Sequence, residues 1–274
     1  MRNVLVTGAT GFVGRHLLDA LARNGVQVRA VVRAGREPVL EGHPAVQSIV
    51  ATPSLFHEDE AWWGRVAEGM DTVIHAAWYA VPGQYLHAPE NLDCLSGTLI
   101  MARGCLAAGV GRFVGIGTCF EYDLSAGDLS PETPLRPQTL YAAAKMSAYA
   151  CLSNWLPAAG IEFAWCRLFY LHGPGEDERR FVPYLRACLS SGKGAALTSG
   201  NQIRDYIDVR DAASRIVDIA LGLQAGPFNI CSGVPVTIRD LALEIAAEYG
   251  RPDLLNFGAR PDNSFDPPRI VGIP

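Results

Sequence analysis

The chain has 274 residues, 49% of them hydrophobic and 19% charged, with a formal net charge of −5. That composition fits an ordered globular protein with one large domain or a domain carrying an appendage. The acidic balance, with no basic cluster of five or more residues, excludes a dedicated nucleic-acid surface.

The longest apolar stretch, Ala159 to Leu171, is interrupted by Glu162 and Arg167, so no membrane association is expected. The first residues enter a strand without a cleavable secretory pattern. Seven scattered cysteines (94, 105, 119, 151, 166, 188 and 231) form no Cys-x-x-Cys pair. Reduced thiols in a cytoplasmic protein without a metal site are therefore expected.

In chain order, Val4–Thr7 reads as a buried strand, followed by Thr7-Gly8-Ala9-Thr10-Gly11-Phe12-Val13-Gly14. Val13, Leu17, Leu18 and Leu21 then fall on one helical stripe. Glycines between a strand and a helix permit a tight turn and close backbone approach, and the helix start offers free amides to a pyrophosphate. A second strand, Val26–Val32, leads to Arg33, with Arg36 close behind and no acid between Val26 and Arg36. An acid at the end of this strand would suit the ribose hydroxyl of NAD, whereas arginine suits the 2′-phosphate of NADP. NADP(H) is the expected dinucleotide, with NAD(H) as the alternative.

Val46–Val50, Thr72–Ala76, Phe113–Gly117 and Ile161–Phe169 read as further strands, and Leu95, Leu99, Ala102 and Leu106 as another helical stripe. Pro134 and Pro137 mark a loop before the helix that carries Tyr141. Gly173-Pro174-Gly175 breaks the pattern, and helices are predicted over Asp208–Leu221 and Ile238–Tyr249. The expected fold is α/β: a Rossmann-type doubly wound parallel sheet over residues 1–172, and a smaller C-terminal substrate-binding lobe over 173–274. A late segment can return from the lobe to the main sheet.

Tyr141 and Lys145 lie four residues apart, on one helical face. The ammonium is expected to favour the phenolate and lower the tyrosine pKa, which suits proton exchange with an alcohol or ketone oxygen. Thr118, at the carboxyl end of its strand, is placed to hydrogen-bond the same oxygen. Together with the glycine turn, these residues point to a nicotinamide-dependent enzyme.

Taken together, these segments resemble the extended short-chain dehydrogenase/reductase family, specifically its nucleotide-sugar branch of NAD-dependent epimerases and dehydratases. The resemblance runs from Asn3 to about Arg269 and includes Asp71-Thr72-Val73-Ile74-His75-Ala76-Ala77, Arg167 to Pro174, Arg204-Asp205-Tyr206-Ile207-Asp208-Val209 and Phe228 to Gly233. It implies Thr118, Tyr141 and Lys145 as catalytic residues. Cofactor contacts are implied at Gly8, Thr10, Gly11, Phe12, Val13, Gly14, Arg33, Arg36, Ala76, Ala77, Tyr141 and Lys145. Substrate contacts are implied at Thr118, Tyr170, Arg179, Phe181, Arg204 and Arg260, with Arg204 and Arg260 on the diphosphate of a nucleotide sugar. A homodimer through the helices around Leu95–Leu106 and Tyr141–Trp155 is implied by the same resemblance.

In the family's dehydratases an Asp and a Glu directly follow the catalytic hydroxyl. Here Cys119 and Phe120 stand there, so dehydration is disfavoured. The reductases that also epimerise place a Cys two residues after that hydroxyl and a His after the Gly-Pro, where this chain has Phe120 and Gly175. Cys119 therefore reads as packing. The run Gly117 to Ser125 resembles enzymes reducing nucleotide-linked 4-keto-6-deoxyhexoses, such as CDP-paratose synthase. A 4-keto reductase using NADPH is the expectation, a 4-epimerase retaining NAD⁺ the alternative, and a dinucleotide-binding regulator without turnover the third reading. Three departures from the family stand out: Cys94 replaces an Asn upstream of Gly97-Thr98, Val50-Ala51-Thr52-Pro53 lacks an adenine-binding Asp, and Tyr170 replaces an Asn.

Overall fold

A computed structural model of the protein describes residues 2–263 and 266–274. Its first part runs β1 (Asn3–Thr7), α1 (Phe12–Arg23), β2 (Gln27–Arg33), β3 (Val46–Thr52), α2 (Glu60–Ala67), β4 (Thr72–His75), α3 (Glu90–Ala107), β5 (Arg112–Thr118), β6 (Asp128–Leu129), α4 (Leu140–Ala158) and β7 (Glu162–Leu168). There follow β8 (Tyr170–His172), α5 (Phe181–Ser190), β9 (Ala195–Ala196), β10 (Ile203–Asp208), α6 (Val209–Leu221), β11 (Gly226–Ile230), β12 (Pro235–Thr237), α7 (Ile238–Glu248), β13 (Leu255–Asn256) and β14 (Arg269–Gly272).

Seven strands form one parallel sheet in the order β11-β7-β5-β4-β1-β2-β3. The chain moves outward from β1 to β3, then crosses to β4 on the other side of β1. This reversal opens a crevice at the carboxyl ends of β1 and β4, where Thr7 stands opposite His75. One apolar core packs α1 and α6 against the sheet through Leu17, Leu18, Leu21, Ala213, Ile216 and Val217. The opposite face carries α2, α3 and α4 through Trp63, Met101, Ala102, Ala148, Leu152 and Leu156. Both faces are covered, which is why the strands read as continuous apolar runs.

The predicted strands and helices shift by one or two residues at their ends. α2 was not predicted, because its Trp62-Trp63 pair and a single turn of charge give no clear period. Its start is fixed by Asp59, whose carboxylate accepts the Trp62 amide at 2.7 Å.

A second sheet runs β12-β10-β14-β6, with β8 also paired to β10. α5 and α7 pack beside it with β9 and β13 through Val182, Leu185, Leu189, Ala242 and Ile245. The two layers interleave along the chain. β6 comes from the first half yet pairs with β14, while α6 and β11 lie beyond residue 172 and serve the large sheet.

Candidate active site

A cavity of about 1000 Å³ lies along the carboxyl edge of the large sheet. Every residue expected to touch cofactor lines it: Gly8, Thr10, Gly11, Phe12, Val13, Gly14, Arg33, Arg36, Ala76, Ala77, Tyr141 and Lys145. Thr118, Tyr170 and Phe181 line it as well.

The glycine turn is a backbone-on-backbone joint. Gly8 has φ +72°, and the Gly11 amide donates to its carbonyl at 2.9 Å. A Cβ on Gly14 would lie 2.0 Å from the Gly8 oxygen, and one on Gly8 within 2.9 Å of the Ala76–Ala77 backbone. α1 starts at Gly11 without a side-chain cap, so its first amides face the cavity with no protein side chain on them. This cradle fits a dinucleotide pyrophosphate. At the far end the cavity is lined by Leu55, Phe56, Arg33 and Arg36, both arginines exposed. Thr52, at the end of β3, is turned to the Glu58 carboxylate instead.

A buried chain of hydrogen bonds ties this cradle to α3. Thr98 Oγ1 donates to the Cys94 carbonyl at 2.6 Å and so accepts from His75 Nε2 at 2.9 Å. His75 Nδ1 then accepts from Thr7 Oγ1 at 2.8 Å, and the Thr7 oxygen takes the Ala77 amide at 3.3 Å. The ring is the neutral Nε2–H tautomer; burial, with the Lys145 charge beside it, pushes its pKa down to about 3. Cys94 accepts the Tyr79 amide on its sulfur at 3.4 Å.

Thr139 caps α4, accepting the Ala142 amide at 3.2 Å, and so sets Tyr141 and Lys145 on the turn that meets β5. Lys145 Nζ donates to the Ile116 carbonyl at 2.5 Å and lies 3.8 Å from the centroid of the Trp78 ring. Trp78 is itself oriented by Asn91, whose Oδ1 accepts its indole N–H at 2.8 Å. Burial pushes the Lys145 pKa down to about 7, while Glu121 pulls it back up. The Tyr141 phenol packs edge-on to Tyr85 at 4.8 Å. Its pKa moves opposite to the sequence expectation: burial, Tyr85 and Glu121 hold it well above the ordinary tyrosine range, and a hydrogen bond from Thr118 only partly offsets them. In the protein itself, desolvation sets the direction.

Thr118 ends β5 and caps the 3-10 turn Cys119–Glu121. Its Oγ1 accepts the Phe120 amide at 3.3 Å, while its own amide donates to Glu121 Oε1 at 2.9 Å. Glu121 is fully buried and also takes the Trp165 indole N–H at 3.1 Å and Arg167 Nε at 2.7 Å. Arg167 continues to the Tyr122 hydroxyl at 3.1 Å, Tyr122 to Asn229 Oδ1 at 2.7 Å, and Asn229 Nδ2 to the Leu129 carbonyl at 2.8 Å. Gly115 and Gly117 make room for this layer: a Cβ on Gly117 would lie 2.2 Å from Trp165 Nε1 and 2.5 Å from Glu121 Oε1.

The arginines expected to meet substrate stand elsewhere. Arg204 is 2% exposed, paired with Asp266 at 2.6 Å and 5.5 Å from the Tyr170 ring centroid. Arg179 forms a fork with Asp177, both bonds 2.8 Å, and Arg260 lies exposed against Tyr184. Besides Arg33 and Arg36, Arg180 lines the cavity, 5.5 Å from the Tyr85 ring centroid. Burial lifts the pKa of the neighbouring Glu176, also lining, to about 7.

Sequence reasoning missed Trp78, Tyr85, Glu121 and Glu176, and singled out Arg179 in a loop whose Arg180 lines the cavity. Glu121 had a readable signal, Thr-x-x-Glu after a strand, together with a charged Arg167 inside an apolar strand that needs a buried acid. Cys119 lines the cavity, but burial pushes its thiol up to about 12 and keeps it protonated.

Among the described residues, no helix is long and apolar enough to cross a membrane, and all seven cysteines are free.

The chain is 24% identical to dTDP-6-deoxy-L-talose 4-dehydrogenase (NAD(+)) of Aggregatibacter actinomycetemcomitans, over 98% of this chain and 99% of that protein. It is 25% identical to CDP-abequose synthase of Salmonella typhimurium, over 93% and 84%. The fold matches UDP-N-acetylglucosamine 4-epimerase from Methanobrevibacter ruminantium M1 with a TM-score of 0.84 at 22% identity, covering 99% of this chain and 89% of that one. It matches Thermus thermophilus UDP-glucose 4-epimerase in complex with NAD with a TM-score of 0.81 at 23% identity, covering 99% and 90%. The model of the NAD dependent epimerase/dehydratase family matches residues 4–231, and the chain belongs to that family.

Proposed function

We propose that the protein is a reductase that uses NADPH to convert the C4 ketone of a nucleotide-linked 4-keto-6-deoxyhexose to an alcohol. The observation that carries this reading is the convergence of Thr118, Tyr141 and Lys145 on the cavity that also contains the glycine turn. NADPH held on that turn supplies the hydride. The chain's own task is to place the carbonyl carbon and to deliver one proton to its oxygen, so that C=O becomes CH–OH.

Tyr141 is the proton donor. Its phenol is protonated in the resting site, the state a proton donor requires, although the raised pKa in itself weakens it as an acid. Thr118 Oγ1 already accepts the Phe120 amide, so its hydroxyl hydrogen, directed at Tyr141, can turn to the carbonyl oxygen when substrate enters. Lys145 is fixed between the Ile116 carbonyl and the Trp78 face, where its charge stabilises the phenolate left after transfer. Arg33 and Arg36, with no acidic lining residue from β2, support NADPH over NADH. The acids that line the cavity, Glu176 and Asp177, belong to the loop before α5.

The relatives named as a C4 dehydrogenase and as an abequose synthase support chemistry at C4 of a deoxysugar nucleotide. Cys119 is a protonated, buried thiol and His172 does not line the cavity, which weighs against an added epimerisation step. A homodimer through α3 and α4 is part of the proposal, consistent with Leu92 and Trp155 exposed on those helices.

The test is to mix the purified protein with NADPH and a panel of nucleotide-linked 4-keto-6-deoxyhexoses. Stoichiometric NADPH oxidation and formation of the alcohol are expected. Protein that carries tightly held NAD⁺ and interconverts UDP-hexoses without consuming NADPH would instead be an epimerase. NADP(H) binding with no turnover of any such ketone would make it a regulator.

A further inference from the structure

We propose that Glu121 is a positioning residue for this reaction, fixing the Thr118 backbone from beneath and standing as the buried anion that faces Lys145, with Arg167 as its counterion. This inference rests on the reading of Thr118 and Lys145 as catalytic.

The geometry is specific. Glu121 Oε1 takes the amide of Thr118 itself, and Oε2 takes Arg167 Nε, while the Trp165 indole N–H spans both oxygens. These contacts are all donations to the carboxyl group, and among the described residues none offers it an acceptor, so it is the ionised carboxylate. Burial raises its pKa above the ordinary carboxylate range, and Arg167 offsets this only in part.

The same indole connects it to the lysine. Trp165 lies over Gly115 and Gly117, and Lys145 Nζ is 5.9 Å from its ring centroid. Lys145 and Glu121 thus flank one aromatic ring at the end of β5, where the ammonium holds the Ile116 carbonyl and the carboxylate holds the Thr118 amide.

The other titratable groups facing Lys145 are neutral around pH 7. His75 on β4 is held down to about 3, Cys94 on α3 is pushed up to about 11, and Tyr141 on α4 is held above its usual range. Arg167 on β7 is held on Oε2 of Glu121 at 2.7 Å, while Oε1 stays with the Thr118 amide. Glu121 is the main charge that opposes desolvation of Lys145, with a smaller effect from Cys94. The tyrosines beside this layer, Tyr122 and Tyr149, stack against Arg167 at 4.7 and 4.5 Å.

Two variants test this: Glu121→Gln, which keeps an oxygen for the Thr118 amide, and Glu121→Gln with Arg167→Met, which also removes the orphaned cation. Folding and NADPH affinity are measured alongside two readouts. The first is the pH profile of turnover by the holoenzyme, the second the titration of the Lys145 side chain followed by NMR. In the double variant the fold and NADPH affinity are expected to survive. Turnover at neutral pH should drop at least about tenfold, with KM changed less. The alkaline limb of the profile and the Lys145 titration should both move to lower pH by about one unit. A folded double variant whose Lys145 titrates as in the parent protein overturns the proposal and leaves Glu121 a purely structural acid. Should the parent protein turn over no nucleotide-sugar ketone, the proposed function falls, while the Lys145 titration still decides the placement of Glu121.

Discussion

The two ends of the cavity are made of different material. The coenzyme end is main chain: glycines pressed against glycines, strand ends and the uncapped start of α1. The end proposed as catalytic rests on side chains drawn from separate elements, with Glu121, Arg167 and Trp165 fully enclosed beneath Thr118. A site of main chain depends on what its residues lack, namely side chains that would clash. A site of buried charge depends on every partner being present, because any one left alone is costly.

This contrast can be tested at either end, and the largest effect is expected at the catalytic end. Tyr141→Phe should lower turnover by about 10²- to 10⁴-fold while NADPH affinity, measured by fluorescence, changes little. Arg167→Met leaves the Glu121 charge buried without its counterion and should cost about 3–5 kcal/mol of stability in urea unfolding. The exposed Arg186–Glu248 fork is the control: Arg186→Met should cost under about 1 kcal/mol despite bonds of 2.6 and 3.0 Å.

The coenzyme end is probed by Gly14→Ala, whose new methyl meets the Gly8 carbonyl. Overpacking of about 1–3 kcal/mol is expected, seen as a lower melting temperature and weaker NADPH binding.

His75 gives this end an acid sensitivity. The unfolded chain takes up a proton there below 6.5, and the folded chain refuses it until about 3. Stability contributed by this group is therefore lost as pH falls through that window. On going from about pH 6.5 to about pH 5, the parent protein should lose on the order of 2 kcal/mol more than His75→Gln.

The smallest effect is expected at Arg33. Arg33→Ser should raise KM for NADPH about tenfold and leave KM for NADH nearly unchanged, consistent with the loss of one charge-assisted hydrogen bond.

How much was legible follows the same division. The glycine turn, the strand before it and the stripe of α1 are local in sequence, and Gly8 to Gly14 could be placed from spacing alone. Tyr141 and Lys145 were also local, one helical turn apart. Their protonation was not, since it depends on the burial of both groups and on Tyr85 and Glu121, which reach them from other parts of the chain. Arg204 shows the same limit. A diphosphate-binding role can be read from the resemblance of its segment, but not the Asp266 carboxylate and Tyr170 ring that surround it. Likewise, α2 was obscured by its paired tryptophans, and the return of β11 beside β7 is a pairing across more than fifty residues that no local pattern specifies.

The strand Arg112–Thr118 carries a lesson for anyone who would engineer this protein. By intrinsic preference, glycine is a poor choice in the middle of a sheet, and statistical redesign would replace Gly115 and Gly117 with valine or isoleucine. Here the empty positions are occupied by a neighbour's indole and a carboxylate, so a branched residue at 117 would evict the support of Thr118 in exchange for a gain in strand propensity. Thermostabilising campaigns on this scaffold should leave those two positions alone and confine their changes to the outer helices.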